Sequence, residues 1–108
     1  MQGYNASVFA YGSTGAGKTY TMLGTEESPG IMMNSIEELF KVIEVYSEER
    51  DYKIKIAYIE VYNELIKDLL NDKNDSLELR EDAVKGICVA GVMEIMTTNT
   101  DEIMKYII

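Results

Sequence analysis

A glycine-rich octapeptide near the start of the chain constrains the fold more than any other part of the sequence. Residues 12–19 match the pattern G-x-x-x-x-G-K-[ST], with glycine at positions 12, 15 and 17. Such a loop can curl tightly enough for several backbone N–H groups to point at one anion, because glycine accepts positive φ and has no Cβ to keep the anion away. The pattern therefore predicts a strand, a phosphate-binding loop and a helix in succession.

The last two residues of the motif carry the side chains with chemistry. Lys18 is predicted to reach the β- and γ-phosphates of a nucleotide as a point charge, and the Thr19 hydroxyl is predicted to ligate Mg²⁺. The helix that begins near Lys18 directs its free N–H groups toward the same anion. The candidate cofactor-binding residues of the loop are Gly12, Ser13, Thr14, Gly15, Ala16, Gly17, Lys18 and Thr19. The alternative is a glycine-rich turn between a strand and a helix, with a surface lysine.

The charge of the chain favours an anion site in this segment and argues against other partners. The formal net charge is −9, yet residues 1–25 contain no carboxylate side chain. An acidic chain is a poor surface for nucleic acid, and no run approaches the roughly 18 apolar residues that a membrane span needs. One cysteine and no histidine exclude an internal disulfide and argue against a zinc site. We expect this cysteine, Cys88, to be a buried and inert thiol.

Hydrophobic periodicity predicts the elements around the loop, within a single domain of 108 residues. In the first half of the chain we expect a buried strand over residues 7–11, a helix over 18–22, an exposed loop over 24–30 and a long amphipathic helix from residue 31. The core side of the long helix is expected to contain Met32, Ile36, Leu39 and Phe40, with acidic side chains on the solvent side.

The second half predicts mainly strands. We expect a strand over residues 54–61, a short helical turn over 65–70, a polar turn over 71–75, strands over 77–80 and 87–89, and a helix from residue 100. Glu60 lies inside the first strand and is interpreted as a buried, locally paired carboxylate. Asn99 and Glu102 have the spacing of a capping box. The last helix is still apolar at residue 108, so we expect the chain to be part of a larger domain.

Three segments together resemble the kinesin motor domain. The first is Gly-Tyr-Asn-Ala-Ser-Val-Phe-Ala-Tyr-Gly at residues 3–12, followed by Gly-Lys-Thr-Tyr-Thr-Met at 17–22. The second, residues 58–70, contains Glu-Val-Tyr-Asn-Glu and Asp-Leu-Leu, and the third, residues 79–92, is similar to the hairpin that follows in the family. A small-molecule kinase or generic phosphate-loop NTPase would share the loop but not the other two segments. Ala16 and the stretches at 22–24 and 79–82 are most similar to the kinesin-eight subfamily.

The resemblance implies both a fold and a function. The fold is α/β, a P-loop NTPase-type mixed sheet flanked by helices, of which residues 1–108 would form a partial motor domain, about a third of the whole. The function is that of the ATP-binding core of a microtubule-dependent motor ATPase, with ATP and Mg²⁺ as cofactors and Lys18 as a catalytic residue. Hydrolysis would be coupled to movement along microtubules or to their remodelling. The alternative is a non-motor, kinesin-like P-loop module that binds nucleotide or tubulin without cycling.

The resemblance also implies roles outside the phosphate loop. Tyr20 would lie beside the adenine base, the alternative being an exposed residue in the first turn of a helix. Arg80 and Lys85 would contact tubulin from the predicted hairpin, unless they form an ordinary surface ion-pair cluster with Glu81 and Asp82.

The complete protein is expected on the microtubules of the cytoplasm, including the spindle, as a coiled-coil homodimer without nucleic-acid or membrane partners. The two switch motifs of the family do not occur in these 108 residues. We therefore expect microtubule-stimulated ATPase activity of the complete motor, and none of this chain alone.

Overall fold

The computed structural model describes residues 2–71, 73 and 76–107, and the chain forms two compact units, residues 1–46 and 47–108. The first unit contains two helices, α1 (Lys18–Met22) and α2 (Ile31–Tyr46), at the positions that the sequence predicts. The second unit contains β1 (Ile54–Ile56), β2 (Ile59–Tyr62), β3 (Leu65–Asp68), β4 (Glu78–Asp82), β5 (Gly86–Ala90), β6 (Ile95–Thr97) and α3 (Thr100–Ile107). None of the described helices is long and apolar enough to span a membrane.

The predicted buried strand over residues 7–11 is wrong. Residues 4–11 have no regular secondary structure, and the side chains of Phe9 and Tyr11 are 83% and 98% exposed. A strand exists only where a neighbour completes its hydrogen bonds, and none of the strand pairs in the described part of the chain includes this segment. The apolar composition of residues 7–11 is therefore not matched by burial.

The long helix α2 confirms the predicted periodicity, with a shift in which side chain is most buried. Met33 is the buried residue of the helix, whereas Met32, Ile36, Leu39 and Phe40 are half-buried. The acidic side chains at positions 37 and 38 are exposed, as predicted. The helix packs against α1, which places its N-terminal end next to the loop that follows α1.

The strands of the second unit form antiparallel pairs. β1 pairs with β6, β2 with β3, and β4 with β5. The strand predicted over residues 54–61 is divided in two, since residues 57 and 58 lie outside both β1 and β2. The sequence does not predict β6, which brings Ile95 opposite Ile56. The helix α3 packs against β6, and its residue Ile103 is only 1% exposed.

The helical turn predicted over residues 65–70 is wrong, because residues 65–68 form β3 and complete a hairpin with β2. Tyr62 pairs with Leu65, so the loop between the strands has only two residues, Asn63 and Glu64. Their φ angles of 49° and 64° identify a type I′ turn, whose twist matches that of the strands. Asparagine tolerates this conformation readily, but glutamate does not.

Replacing Glu64 with glycine is therefore expected to stabilise the hairpin. A non-glycine residue in the left-handed region costs roughly 1–2 kcal/mol, and the greater entropy of glycine in the unfolded chain offsets part of the gain from removing that cost. We expect a net gain of about 0.5–1 kcal/mol in the free energy of unfolding, measured by urea denaturation of a motor domain that contains these residues. Glu64→Ala is the control, because it removes the same carboxylate and keeps the positive φ; an equal gain in both variants would contradict the explanation.

A buried carboxylate joins two distant segments of the second unit. Asp68, at the end of β3, accepts a hydrogen bond from the backbone N–H of Leu70 at 3.0 Å. Its second oxygen accepts one from the N–H of Met93 at 2.6 Å, across 25 positions of the chain. Asp68 is buried, and the two N–H donors compensate the cost of removing its charge from water.

The start of α3 confirms the predicted cap in part. The Asn99 side chain accepts a hydrogen bond from the N–H of Glu102 at 2.9 Å. The Glu102 carboxylate reaches back to the N–H of Thr98 at 3.4 Å and to the buried Thr97 hydroxyl at 2.8 Å, one residue beyond the partner of an ideal capping box. Part of the polar turn predicted over residues 71–75 lies outside the described residues.

Candidate functional site

The glycine-rich loop over residues 12–17 has the curled backbone that the sequence predicts. Gly15 and Gly17 have φ angles of 83° and 97°, which a side chain at either position would strain. The N–H of Ala16 donates to the carbonyl of Ser13 at 3.0 Å and closes the turn. A Cβ on Gly12 would lie 3.1 Å from the Cβ of Ala16, so the two ends of the loop approach each other closely.

Lys18 turns back over this loop. Its ammonium group donates to the carbonyl of Gly12 and, at 3.0 Å, to the carbonyl of Ser13. The half-buried side chain therefore holds a fixed positive charge beside the backbone of the loop. An anion that enters the loop would be attracted by this charge and would compete with the carbonyls of Gly12 and Ser13 for the N–H groups of the ammonium.

The Thr19 hydroxyl is the candidate metal ligand. Thr19 is exposed, and its hydroxyl makes no hydrogen bond within the part of the chain that the structure describes. Its carbonyl accepts the N–H of Leu23 at 2.8 Å and that of Gly24 at 3.3 Å, which ends α1. No group of three or more acidic, histidine or cysteine side chains among the described residues could hold a metal by itself.

The donor set of the loop fits a nucleotide phosphate chain with Mg²⁺. The backbone N–H groups of the curled loop and the ammonium group are hydrogen-bond donors of the kind that phosphate oxygens accept. The free hydroxyl is an oxygen ligand of the kind that a phosphate-bound Mg²⁺ takes. Residues 2–25 contribute no carboxylate that would repel the phosphates. The residues of the loop would thus hold the phosphates, and Thr19 would supply one ligand of the metal.

Tyr20 is exposed and is held by the loop that follows α1. The Tyr20 hydroxyl donates to the Ser28 hydroxyl at 3.2 Å. Ser28 belongs to a tight turn in which the N–H of Thr25 donates to its carbonyl at 2.9 Å and its own N–H donates to the Thr25 hydroxyl at 3.1 Å. Tyr20 is predicted from the sequence, but Ser28 and Thr25 are not, although a Thr-x-x-Ser spacing before Pro29 is a recognisable turn signal.

Two glycines fix the turn to the end of α1. A Cβ on Gly24, whose φ is 70°, would lie 2.2 Å from the carbonyl oxygen of Ser28. A Cβ on Gly30 would lie 2.5 Å from the carbonyl oxygen of Met22, and the N–H of Gly30 donates to the carbonyl of Leu23 at 2.9 Å. The loop is exposed over residues 25–29, as predicted, but its turn is compact, and Gly30 at its end is buried.

The hairpin of β4 and β5 carries Arg80 and Lys85, as predicted. Arg80 pairs with Glu78 at 3.3 Å, on the exposed surface, and not with Glu81. The carboxylate of Asp82 accepts the N–H groups of Lys85 and Val84 at 2.9 and 2.8 Å, so it closes the turn instead of forming the ion pair that the alternative interpretation expects.

These hydrogen bonds from Lys85 and Val84 hold the pKa of Asp82 below its ordinary value. The carboxylate is ionised at neutral pH, and the turn loses its support only when the pH falls through that lowered value.

Two other predicted side chains lie differently from expectation. Glu60 is exposed rather than buried, and faces Lys67 across the pair of β2 and β3. The strand is short and has one neighbour within the described residues, so its apolar sequence does not bring burial. Cys88 is half-buried in β5, less enclosed than predicted.

The chain matches the family model of the kinesin motor domain over residues 1–108. The human kinesin-like protein KIF19 is 52% identical over 105 residues, which is 97% of this chain and 10% of that protein. The KIN-8B protein of Arabidopsis thaliana is 47% identical over 105 residues, 97% of this chain and 13% of that protein. The chain thus spans about a tenth of the length of these relatives. The KIN-8 name agrees with the predicted kinesin-eight resemblance.

Solved structures give the same answer for the fold. A fast kinesin is similar with a TM-score of 0.88 and 37% identity, over 95% of this chain and 31% of that one. A KIF14 dimer with AMP-PNP, in complex with a microtubule, is similar with a TM-score of 0.82 and 38% identity, over 91% of this chain and 29% of that one. Both support the predicted α/β class. The chain belongs to the kinesin motor domain family.

Proposed function

We propose that this chain is the ATP-binding core of a microtubule-dependent motor ATPase. The observation that carries the proposal is the phosphate loop, in which Lys18 lies over a backbone curled by glycine. Membership of the kinesin motor domain family supports it, as does the similarity to a structure that contains AMP-PNP and a microtubule. Lys18 and the loop would bind the phosphates, Thr19 would ligate Mg²⁺ and Tyr20 would contact the adenine.

The chemistry of these residues is binding and orientation. The Lys18 ammonium would neutralise charge that develops on the transferred phosphoryl group, which is a main source of acceleration in P-loop enzymes. Mg²⁺, when bound, neutralises phosphate charge in the same site. A group that orients the attacking water and a sensor of the γ-phosphate are also needed, and the motifs that supply them in the family do not occur in these 108 residues.

The test compares a complete motor domain containing these residues with the 108-residue chain alone. We expect the complete domain to hydrolyse ATP faster when microtubules are added, and the chain alone to show no measurable hydrolysis, because it lacks the water-orienting group and the γ-phosphate sensor. Release of inorganic phosphate at increasing microtubule concentration measures both. A complete domain that binds microtubules and nucleotide but never turns over would favour the alternative, a non-motor kinesin-like module. Turnover by the chain alone would contradict the second expectation.

We further propose that the β4–β5 hairpin contacts tubulin through Arg80 and Lys85. The chain is acidic overall, so attraction to an acidic partner must come from local cations rather than from net charge. The Arg80 side chain is exposed and paired with an equally exposed Glu78, and such a pair costs little to exchange for another carboxylate. Association with the microtubule cytoskeleton follows from this proposal; spindle localisation and a coiled-coil homodimer stay predictions.

Reversing both charges, with Arg80→Glu and Lys85→Glu, is expected to raise the microtubule concentration that gives half-maximal ATPase activity. The increase should be larger at low ionic strength, because salt screens such exposed charges. Steady-state ATPase assays at two salt concentrations measure it. The control reverses Lys41 and Lys105, which are exposed on α2 and α3, and changes the net charge equally. If the control raises the half-saturating concentration as much as the test variant, net charge rather than the hairpin is responsible.

A further inference from the structure

The Tyr20–Ser28 hydrogen bond joins the candidate nucleotide site to a loop that the motif does not include. Tyr20 is the third residue of α1, directly after the residues that would bind phosphate and metal. Its hydroxyl lies 3.2 Å from that of Ser28. The phenol is otherwise exposed, with 60% of the residue surface accessible, so this contact is what restricts the ring at its outer end.

Ser28 can restrict the ring because hydrogen bonds and close backbone contacts within the turn fix the position of Ser28 itself. The reciprocal hydrogen bonds with Thr25 set its conformation. Gly24 and Gly30 lie so close to neighbouring backbone atoms that neither has room for a Cβ. The N–H of Gly30 also donates to the carbonyl of Leu23, at the end of α1. The turn is thereby held to the same helix that carries Tyr20, and the two hydroxyls keep their separation.

We propose that Ser28 is a positioning residue for recognition of the nucleotide base. By accepting the Tyr20 hydroxyl, it holds the aromatic ring in one orientation before the nucleotide arrives, so that less side-chain freedom is lost on binding. The proposal rests on the proposed function, in which Tyr20 contacts the base. Ser28 is expected to affect binding of the base and not of the phosphates. The loop residues that would bind the phosphates precede Tyr20 in the sequence, whereas Ser28 follows it.

The experiment measures the dissociation constants of ATP and of inorganic tripolyphosphate, which has no base, in a complete motor domain containing these residues. Ser28→Ala is expected to weaken ATP binding about 2- to 10-fold, the range of one ordinary hydrogen bond, and to leave tripolyphosphate binding unchanged. Ser28→Thr, which keeps a hydroxyl, should restore ATP binding. Tyr20→Phe should produce the same loss as Ser28→Ala, and the double variant no further loss.

Ser35→Ala is the matched control, because Ser35 is an exposed serine on α2 whose hydroxyl donates to the carbonyl of Ile31 within its own helix. Equal weakening of ATP and tripolyphosphate by Ser28→Ala would overturn the inference, since it would indicate a general structural role. Unchanged ATP affinity would also overturn it. A wild-type domain that binds neither compound would overturn the proposed function itself, whereas a wild-type domain that binds both while Ser28→Ala has no effect would leave that function standing.

Discussion

Replacing Lys18 with alanine in a complete motor domain is expected to reduce ATP turnover by at least about 100-fold. The substitution removes the one fixed cation of the phosphate loop, which lies beside Gly12 and Ser13. Hydrogen bonds to charged groups are worth about 1.5–3 kcal/mol each, and about 1.4 kcal/mol corresponds to a factor of ten. Two such bonds to the β- and γ-phosphates would therefore account for a loss of this size.

The measurement is the steady-state rate of phosphate release at saturating ATP and microtubules. Lys41→Ala is the matched control, because Lys41 is an exposed lysine of α2 in the same unit; its turnover should equal that of the wild type. Thr19→Ala should raise the Mg²⁺ concentration needed for half-maximal activity, because it removes a metal ligand. Normal rates in both Lys18→Ala and Thr19→Ala would mean that the loop is not the nucleotide site.

Replacing Gly24 with alanine is expected to be the most destabilising single substitution in the first unit. The new Cβ would lie 2.2 Å from the Ser28 oxygen and 2.3 Å from the Gly30 nitrogen, at a φ of 70°. The positive φ costs roughly 1–2 kcal/mol, and displacing crowded backbone costs roughly a further 1–3 kcal/mol. We expect the free energy of unfolding to fall by about 2–5 kcal/mol, measured by denaturant unfolding of a motor domain that contains these residues.

Gly86→Ala separates the two contributions to this loss. Gly86 has a similar φ of 75°, but a Cβ added there would have no atom of another part of the chain within 4 Å, so only the cost of about 1–2 kcal/mol for the backbone conformation should appear. Equal losses in the two variants would show that crowding contributes nothing at Gly24. Gly24→Ala should also weaken ATP binding, because the turn that holds Tyr20 through Ser28 would shift.

The parts of the molecule that can be predicted from the sequence are those whose structure is determined locally. The phosphate loop depends on glycines at fixed spacing, and its curled backbone at Gly15 and Gly17 follows from them. The helix α2 has a hydrophobic period that only a helix satisfies, and it begins at residue 31, where the sequence predicts it. The hairpin of β4 and β5 is predicted because Gly86, whose φ is positive, allows a turn between the short strands expected over residues 77–80 and 87–89.

The errors arise where pairing partners decide the structure. Residues 7–11 have the composition of a buried strand, but composition does not supply the neighbour that a strand requires. Residues 65–70 fit a helical turn by spacing, but the type I′ turn at Asn63 and Glu64 pairs residues 65–68 with β2 as a strand instead. Glutamate is a poor signal for such a turn, so the sequence alone favours the wrong choice. Ser28 is missed because its role depends on a hydroxyl eight positions away.

The hydrogen bonds of Asp68 determine where related chains can accept insertions in the second unit. The bond from the N–H of Met93 holds residues 68 and 93 together, so the segment that contains β4 and β5 begins and ends at one place within the second unit. The hairpin is therefore attached as an insertion with clamped ends. Because the entropy of closing a loop rises by only about 0.6 kcal/mol for each doubling of its length, residues can be added near its tip at little cost. Related chains can thus differ in the surface that this hairpin exposes while the fold beneath it stays the same.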